Sequence, residues 1–279
     1  NTIKWYNIGG ICFFKGGPIK QAQLTNWYQQ LTKTPILISI DGEWGLGMRL
    51  DSTISFARQM TLGAMADRSK IYSMGAEIAR QCKRIGIHID FAPVIDINSN
   101  PLNPVINIRS FGENKDDVAL MSLQYIKGLQ DNGILAVAKH FPGHGDASAD
   151  SHFTLPLIGH SAEALDTLDL YPFSKAIKAG IGGVMVAHLY VPSLDSTVGL
   201  PSTLSSKIVN GVLRQKMGFK GIVFTDAMDM HGVSDYDEPG KTDVKALAAG
   251  NDIILLPEDV PSAICEIRAA IDSSIISQK

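Results

Sequence analysis

From Ala138 to Pro156 the chain reads Ala-Lys-His-Phe-Pro-Gly-His-Gly-Asp-Ala-Ser-Ala-Asp-Ser-His-Phe-Thr-Leu-Pro. Lys139, His140, His144, Asp146, Asp150 and His152 crowd into this one stretch behind an apolar run, which packing alone does not require. Loops on a rigid scaffold are where chemistry concentrates. Within the stretch, Asp150-Ser151-His152 has the make-up of a proton donor and acceptor. An imidazole titrates near neutrality, and a neighbouring carboxylate fixes its tautomer and favours its protonated form. Such a pair suits protonating a leaving oxygen and later taking a proton from water. A purely structural Asp–His hydrogen bond is the plain alternative.

A second ionisable group stands at Asp226. It ends the apolar run Gly-Ile-Val-Phe-Thr at 221–225, where its carboxylate is expected to face a cavity and to serve as a nucleophile. A helix N-cap is the competing role, and Asp229 is the better candidate for that. One group to donate a proton and another to attack is what hydrolysis of a glycosidic bond needs. His140, His144 and Asp146 also invite reading as metal ligands. No zinc spacing such as His-Glu-x-x-His is present, however, and no Gly-Lys-Ser/Thr follows the loop glycines to cradle phosphate. No metal and no cofactor is expected. Gly143 and Gly145 suit a tight turn and are the expected hinges of the loop. His160 and His231 read as surface residues and His88 as an ordinary strand residue.

These groups can meet only if the fold gathers distant segments at one face. Amphipathic stretches alternate with short β-branched runs, and the joints repeat: a helical pattern ends at Gly86, Gly133, Gly180, Gly218 or Gly250, and a strand follows. Glycine takes the left-handed position that closes a helix without a Cβ penalty. Strands are expected at 10–14, 35–41, 87–96, 134–140, 183–188, 221–226 and 252–257. They are near-continuous apolar runs, as in parallel strands buried on both faces. Helices are expected at 20–31, 52–84 with one break, 116–131, 161–178, 205–217, 241–249 and 259–272. In 116–131, Val118, Met121, Tyr125, Ile126 and Leu129 share one face, while Asp116 and Asp117 favour the N-terminal dipole.

Polar side chains collect at the strand C-terminal ends: Asp41, Asp96, Lys139, His140, His188 and Asp226. In an α/β (β/α)8 TIM barrel those ends form the catalytic face. A doubly wound sheet also binds ligands there, but the barrel is the favoured reading. Seven strands are one short of closure, and the expectation is that this chain lacks the first βα unit. No linker divides residues 1–279, so a single barrel domain is expected, and further domains of a longer chain stay open as partners.

Composition narrows the partners. With 45% apolar and 19% charged residues, the chain can build one large core. A formal charge of −3 with no Lys/Arg block argues against nucleic acid or an anionic membrane surface. No apolar run reaches the roughly 18 residues that span a bilayer, and the first residues are not expected to be a signal peptide. A soluble chain acting on a small uncharged substrate is expected, its compartment, bacterial cytoplasm or periplasm, left open. Cys12, Cys82 and Cys265 are odd in number and widely spaced, so free core thiols are expected.

The stretch Lys-His-Phe-Pro-Gly-His-Gly at 139–145, followed by Asp-Ser-His at 150–152, resembles glycoside hydrolase family 3 in its β-N-acetylglucosaminidase branch. Most other branches take their acid/base from a carboxylate elsewhere. The resemblance runs along the chain through Asp41-Gly42-Glu43, Ala92-Pro93-Val94, Arg109-Ser110-Phe111-Gly112, Ala187-His188 and Thr225-Asp226. It implies that Asp226 is the nucleophile, His152 the acid/base and Asp150 its partner, with Asp41, Arg109, Lys139 and His140 binding the sugar. It further implies a retaining exo-β-N-acetylglucosaminidase of bacterial origin, acting on carbohydrate such as peptidoglycan-derived muropeptides. A β-glucosidase or β-xylosidase of the same family and a non-catalytic sugar-binding barrel are the alternatives. For Arg109 a surface ion pair with Glu113 or Asp116 competes with sugar binding, and for Lys139 a salt bridge inside the barrel. The chain departs from the family's usual Asp-x-Glu-Gly-Gly in having Trp44, which is expected to stack on a sugar, narrow the aglycone side, or pack against the next helix.

Overall fold

In the computed structural model, which describes residues 2–151 and 153–277, the five joint glycines set the rhythm of the chain. All five have positive φ, from 72° at Gly218 to 112° at Gly250. At Gly86 the amide bonds the Lys83 carbonyl and the next amide, Ile87, reaches back to Cys82, at 3.2 and 3.0 Å. This pair of bonds satisfies the last carbonyls of helix Ser69–Arg84. The same pair recurs at Gly133, Gly180 and Gly250. Each time, the chain leaves the helix in a fixed direction and enters a strand.

The strands are β1 (Gly10–Phe13), β2 (Leu37–Ile40), β3 (Ile89–Asp90), β4 (Leu135–Phe141), β5 (Gly183–Val186), β6 (Ile222–Ala227) and β7 (Ile253–Leu255). They form one parallel sheet in sequential order. One core layer lies between sheet and helices, and helix Lys115–Asp131 contributes Val118, Met121, Tyr125, Ile126 and Leu129 to it, all buried. Its first turn carries Asp116 and Asp117, and the Asn114 side chain caps both of their amides. A second, smaller layer fills the inside of the sheet with Ile89, Phe91, Val137, Met185 and Phe224. Phe91 and Phe224 meet edge to face there, with centroids 5.4 Å apart.

The wall is open along one seam. Among the described residues β1 pairs only with β2 and β7 only with β6. The two unpaired edges face a cavity of about 640 Å³ lined by Gly10, Cys12, Phe91, Phe224, Ile253 and Leu255. First and last strands lining one cavity is the geometry of a curled sheet, here a (β/α)8 barrel wall one strand short. β7 is only half-buried, whereas β5 is buried throughout.

The pairing register slips at two places, between Ala138 and Phe141 of β4 and between Phe224 and Ala227 of β6. Lys139, His140 and Asp226 sit in these slips. A bulge bends the strand locally and re-aims its side chains.

Some expectations are corrected. The helix expected over 52–84 does not begin until Gln59–Gly63, then resumes at Ser69–Arg84. Residues before it run back along the strand-end turn instead, with the Phe56 amide on the Trp44 carbonyl and the Gly47 amide on that of Ile54. The 161–178 helix is capped by Ser161 and contains a wide π turn, Leu165–Asp169. Cys82 is buried, but Cys265 is exposed on helix Val260–Asp272 and is not a core thiol. No helix among the described residues is long and apolar enough to cross a membrane.

Candidate active site

The turn after β2 supplies two carboxylates. Asp41 Oδ1 accepts from Lys139 Nζ at 2.7 Å, and Oδ2 accepts from Arg49 Nη2 at 2.8 Å. Glu43, almost fully buried, accepts from Arg109 through both oxygens, at 2.7 and 3.0 Å, and lies 2.8 Å from Lys139 Nζ. Burial pushes the Glu43 carboxyl up, but the guanidinium and ammonium beside it hold it well below the usual carboxylate range. Lys139 is likewise buried, and Asp41 and Glu43 raise its pKa against that burial. The pairs keep these charges in place inside the barrel mouth.

The turn itself is fixed from beneath. Asp90, at the end of β3, accepts the Gly42 amide at 2.7 Å, and Tyr125 Oη donates to the Gly42 and Glu43 carbonyls at 3.1 and 3.2 Å. A Cβ on Gly42 would meet both Asp90 oxygens at 3.0 Å.

Asp96 organises the next strand end. Its Oδ2 accepts the His140 amide at 3.0 Å and lies 2.7 Å from His140 Nδ1, while Oδ1 accepts the His144 amide at 2.7 Å. The other ring nitrogen of His140, Nε2, is 3.2 Å from Arg109 Nη2. A guanidinium only donates, so Nε2 accepts and Nδ1 carries the hydrogen toward Asp96. Burial raises Asp96, and the His140 and His144 groups around it bring it below the ordinary value. His144 is pushed down to about 4, chiefly by burial and then by His140.

Asp226 is half-buried at the end of β6 and accepts its neighbour's amide, that of Ala227, at 2.8 Å. Burial works against its charge. The imidazoles of His140 and His188, the Ala227 amide and the Lys139 ammonium outweigh that effect and hold the carboxyl below its ordinary value. A carboxylate kept ionised at a strand end is suited to nucleophilic attack. His188 is buried behind it, Nε2 2.9 Å from the Ala227 carbonyl and Nδ1 2.7 Å from Thr203 Oγ1.

The structure therefore brings Asp41, Arg109, Lys139, His140 and Asp226 into one electrostatic network. Arg109 pairs with Glu43 rather than with Glu113 or Asp116. Lys139 makes the interior salt bridges. His152 lies outside the described residues. Its neighbours are placed: Asp150 accepts the Phe153 and Thr154 amides through its carbonyl, at 3.0 and 3.1 Å, and Ser151 is buried with its carbonyl on the Gly232 amide at 3.0 Å. The loop's start is held by Asn103, whose Nδ2 donates to the His144 and Gly145 carbonyls at 2.8 and 3.0 Å. Gly143 and Gly145, the expected hinges, lie where the backbone is closely approached. A Cβ on Gly145 would fall 1.6 Å from the Ile97 carbonyl oxygen, and one on Gly143 2.7 Å from Asp169 Cβ, so both are points of close packing.

Sequence reasoning set Asp96 among the strand-end polar groups without a role of its own, and gave no site role to Glu43 or Asp90. Trp44 packs one ring face under Arg58, whose Cζ is 3.4 Å from the ring centroid. His231 is exposed as expected, and His88 Nδ1 accepts the Ile38 amide within the sheet. His160 is not a loose surface residue: its ring lies 2.7 Å from buried Asp169. No group of three His, Cys, Asp or Glu side chains among the described residues could hold a metal ion.

Known proteins resemble this chain along most of its length. The model of the glycosyl hydrolase family 3 N-terminal domain matches residues 1–279. Beta-hexosaminidase A of Pseudoalteromonas piscicida is 37% identical over 278 residues, covering 91% of this chain and 46% of that protein. The beta-hexosaminidase of Nitrosomonas eutropha is 32% identical over 266 residues, covering 92% of this chain and 75% of the relative. A solved β-N-acetylglucosaminidase of glycoside hydrolase family 3 from Paenibacillus sp. str. FPU-7 superposes with a TM-score of 0.94 at 38% identity. It covers 99% of this chain and 54% of its own. The chain thus spans about half the length of the Pseudoalteromonas and Paenibacillus proteins.

Proposed function

We propose that this chain, which belongs to glycosyl hydrolase family 3, is the catalytic barrel of a retaining exo-β-N-acetylglucosaminidase. The observation that carries the reading is Asp226, an ionised carboxylate at a strand end, set in the same network as Lys139, His140 and Arg109. Asp226 attacks the anomeric carbon while His152, oriented by Asp150, protonates the departing oxygen. Water, deprotonated by His152, then releases the sugar from Asp226. Asp41 and the His140 Nε2 lone pair accept from sugar hydroxyls, and Arg109 and Lys139 donate to the sugar's oxygens. Among the described residues Lys139 has two carboxylate partners, Asp41 and Glu43, for its three hydrogens, and the third is the one proposed to meet substrate.

The relatives' names support an N-acetylhexosamine substrate, and the Asp-Ser-His loop supports the imidazole acid/base. Muropeptides derived from peptidoglycan are the proposed natural substrates. The test compares an aryl N-acetyl-β-glucosaminide with the matching β-glucoside, using wild type and Asp226→Ala. Preference for the acetamido sugar and loss of turnover in Asp226→Ala are expected. Equal turnover of both sugars would favour a β-glucosidase, and a folded wild type that binds N-acetylglucosamine without turnover would favour a binding module.

A further inference from the structure

The loop that leaves β4 and returns at Ala162 is pinned at several points by backbone bonds. Ser151 holds Gly232, and on the return side the Ile158 amide bonds the Tyr190 carbonyl at 2.9 Å. One side chain ties the departing and returning limbs together. The His160 ring lies with Nδ1 2.7 Å from Asp169 Oδ2 and Nε2 3.4 Å from Asp146 Oδ2. Asp146 belongs to the departing limb, just past Gly145, and Asp169 closes the π turn of the helix that follows. The Asp169 side chain is 1% exposed and packs against Gly143, so the strut rests on a buried footing. Burial pushes the Asp169 carboxyl up to about 6, with His160 opposing and Asp146 adding to the rise.

We infer that His160 is a positioning residue for the acid/base loop, a strut between Asp146 and Asp169 that sets where Asp150 and its neighbours stand relative to Asp226. The inference rests on the reading of that loop as the acid/base element. His160 touches neither substrate nor reacting atoms; it acts by holding both limbs of the loop to one helix. Without it, the bonds at Ser151 and Ile158 still keep the loop on the barrel, but the polar tie from Asp146 to Asp169 is lost.

A strut for a proton donor has a signature that a general stabilising contact lacks. General acid catalysis is worth about 100- to 10,000-fold when the leaving group needs a proton, and little when it does not. The test measures kcat/KM in the full chain for a phenyl and a 2,4-dinitrophenyl N-acetyl-β-glucosaminide, in wild type, His160→Ala, His160→Asn and His152→Ala. For His160→Ala the expected loss is roughly 10- to 100-fold on the phenyl substrate, with dinitrophenyl turnover close to wild type. His160→Asn, which keeps a donor for Asp169, should recover part of the difference. An equal loss on both substrates, or no loss on either in folded protein, would overturn the strut. The His152→Ala arm separates the two layers: if it too shows no leaving-group dependence, the acid/base reading itself fails. If His152→Ala is selective and both His160 variants are not, only the strut is wrong.

Discussion

Arg109 and Glu43 meet fork to fork, Nη2 2.7 Å from Oε1 and Nε 3.0 Å from Oε2, across 66 positions of sequence. The pair joins the turn after β2 to the 3-10 turn Asn107–Arg109 beyond β3, and it aims Arg109 Nη2 at His140. Bidentate pairing fixes direction as well as distance.

Glu43→Gln would leave Arg109 and Lys139 short of one buried negative charge. Breaking one side of such a pair costs roughly 3–5 kcal/mol, and chemical denaturation should read that loss near neutral pH. Glu43 has a depressed pKa in the folded protein, so its contribution is present above the unfolded value, about 4.3. It is lost only as pH falls through the lowered folded value. The gap between wild type and variant should therefore persist from pH 8 to pH 5 and close only in stronger acid.

Asp90 behaves in the opposite sense. Burial, with Asp41 and Glu43 adding to it, pushes its carboxyl up to about 7 against the Gly42 amide and Lys139, and its Oδ2 has no hydrogen-bond partner among the described residues. Between the unfolded value and about 7 the native state holds a proton that the unfolded chain has lost, so stability falls as pH rises through this window. Asp90→Asn keeps an acceptor for Gly42 and has no charge to bury. Thermal melts should show the variant gaining on wild type as pH rises from 5 to 8, by an amount on the order of a few kcal/mol. A constant difference across that range would mean that Asp90 does not take up the proton.

How much of this could be read beforehand follows from the range of each interaction. The joint glycines are local: Gly86 and Gly133 need only their own helix ends, so the βα order and the strand count were legible. The strand-end positions of Asp41, Lys139 and Asp226 were legible for the same reason, since each follows an apolar run. The partners were not. Glu43 finds Arg109 through the curl of the sheet, and His160 finds Asp169 only because a π turn carries that carboxylate inward. Residues 52–58 were misjudged as helical because their partner is the Trp44 turn, which no periodicity reveals.

The loop glycines give a further check. Gly145→Ala places a methyl against the Ile97 carbonyl oxygen, where the ideal Cβ is only 1.6 Å away. The backbone of the departing limb must shift, and overpacking of this kind costs about 1–3 kcal/mol. A lower melting temperature together with reduced kcat/KM is expected. Unchanged stability would mean that this limb is not packed as described.

The central claim is that Asp226 and an imidazole on the β4 loop carry out a double displacement. The measurement that tests it most directly is azide rescue of His152→Ala on an aryl N-acetyl-β-glucosaminide, with the product's anomeric configuration read by NMR. The account predicts recovered turnover and a β-glycosyl azide, because azide enters from the face the aglycone left while Asp226 holds the sugar. An α-glycosyl azide, or a His152→Ala variant as active as wild type without azide, would contradict it.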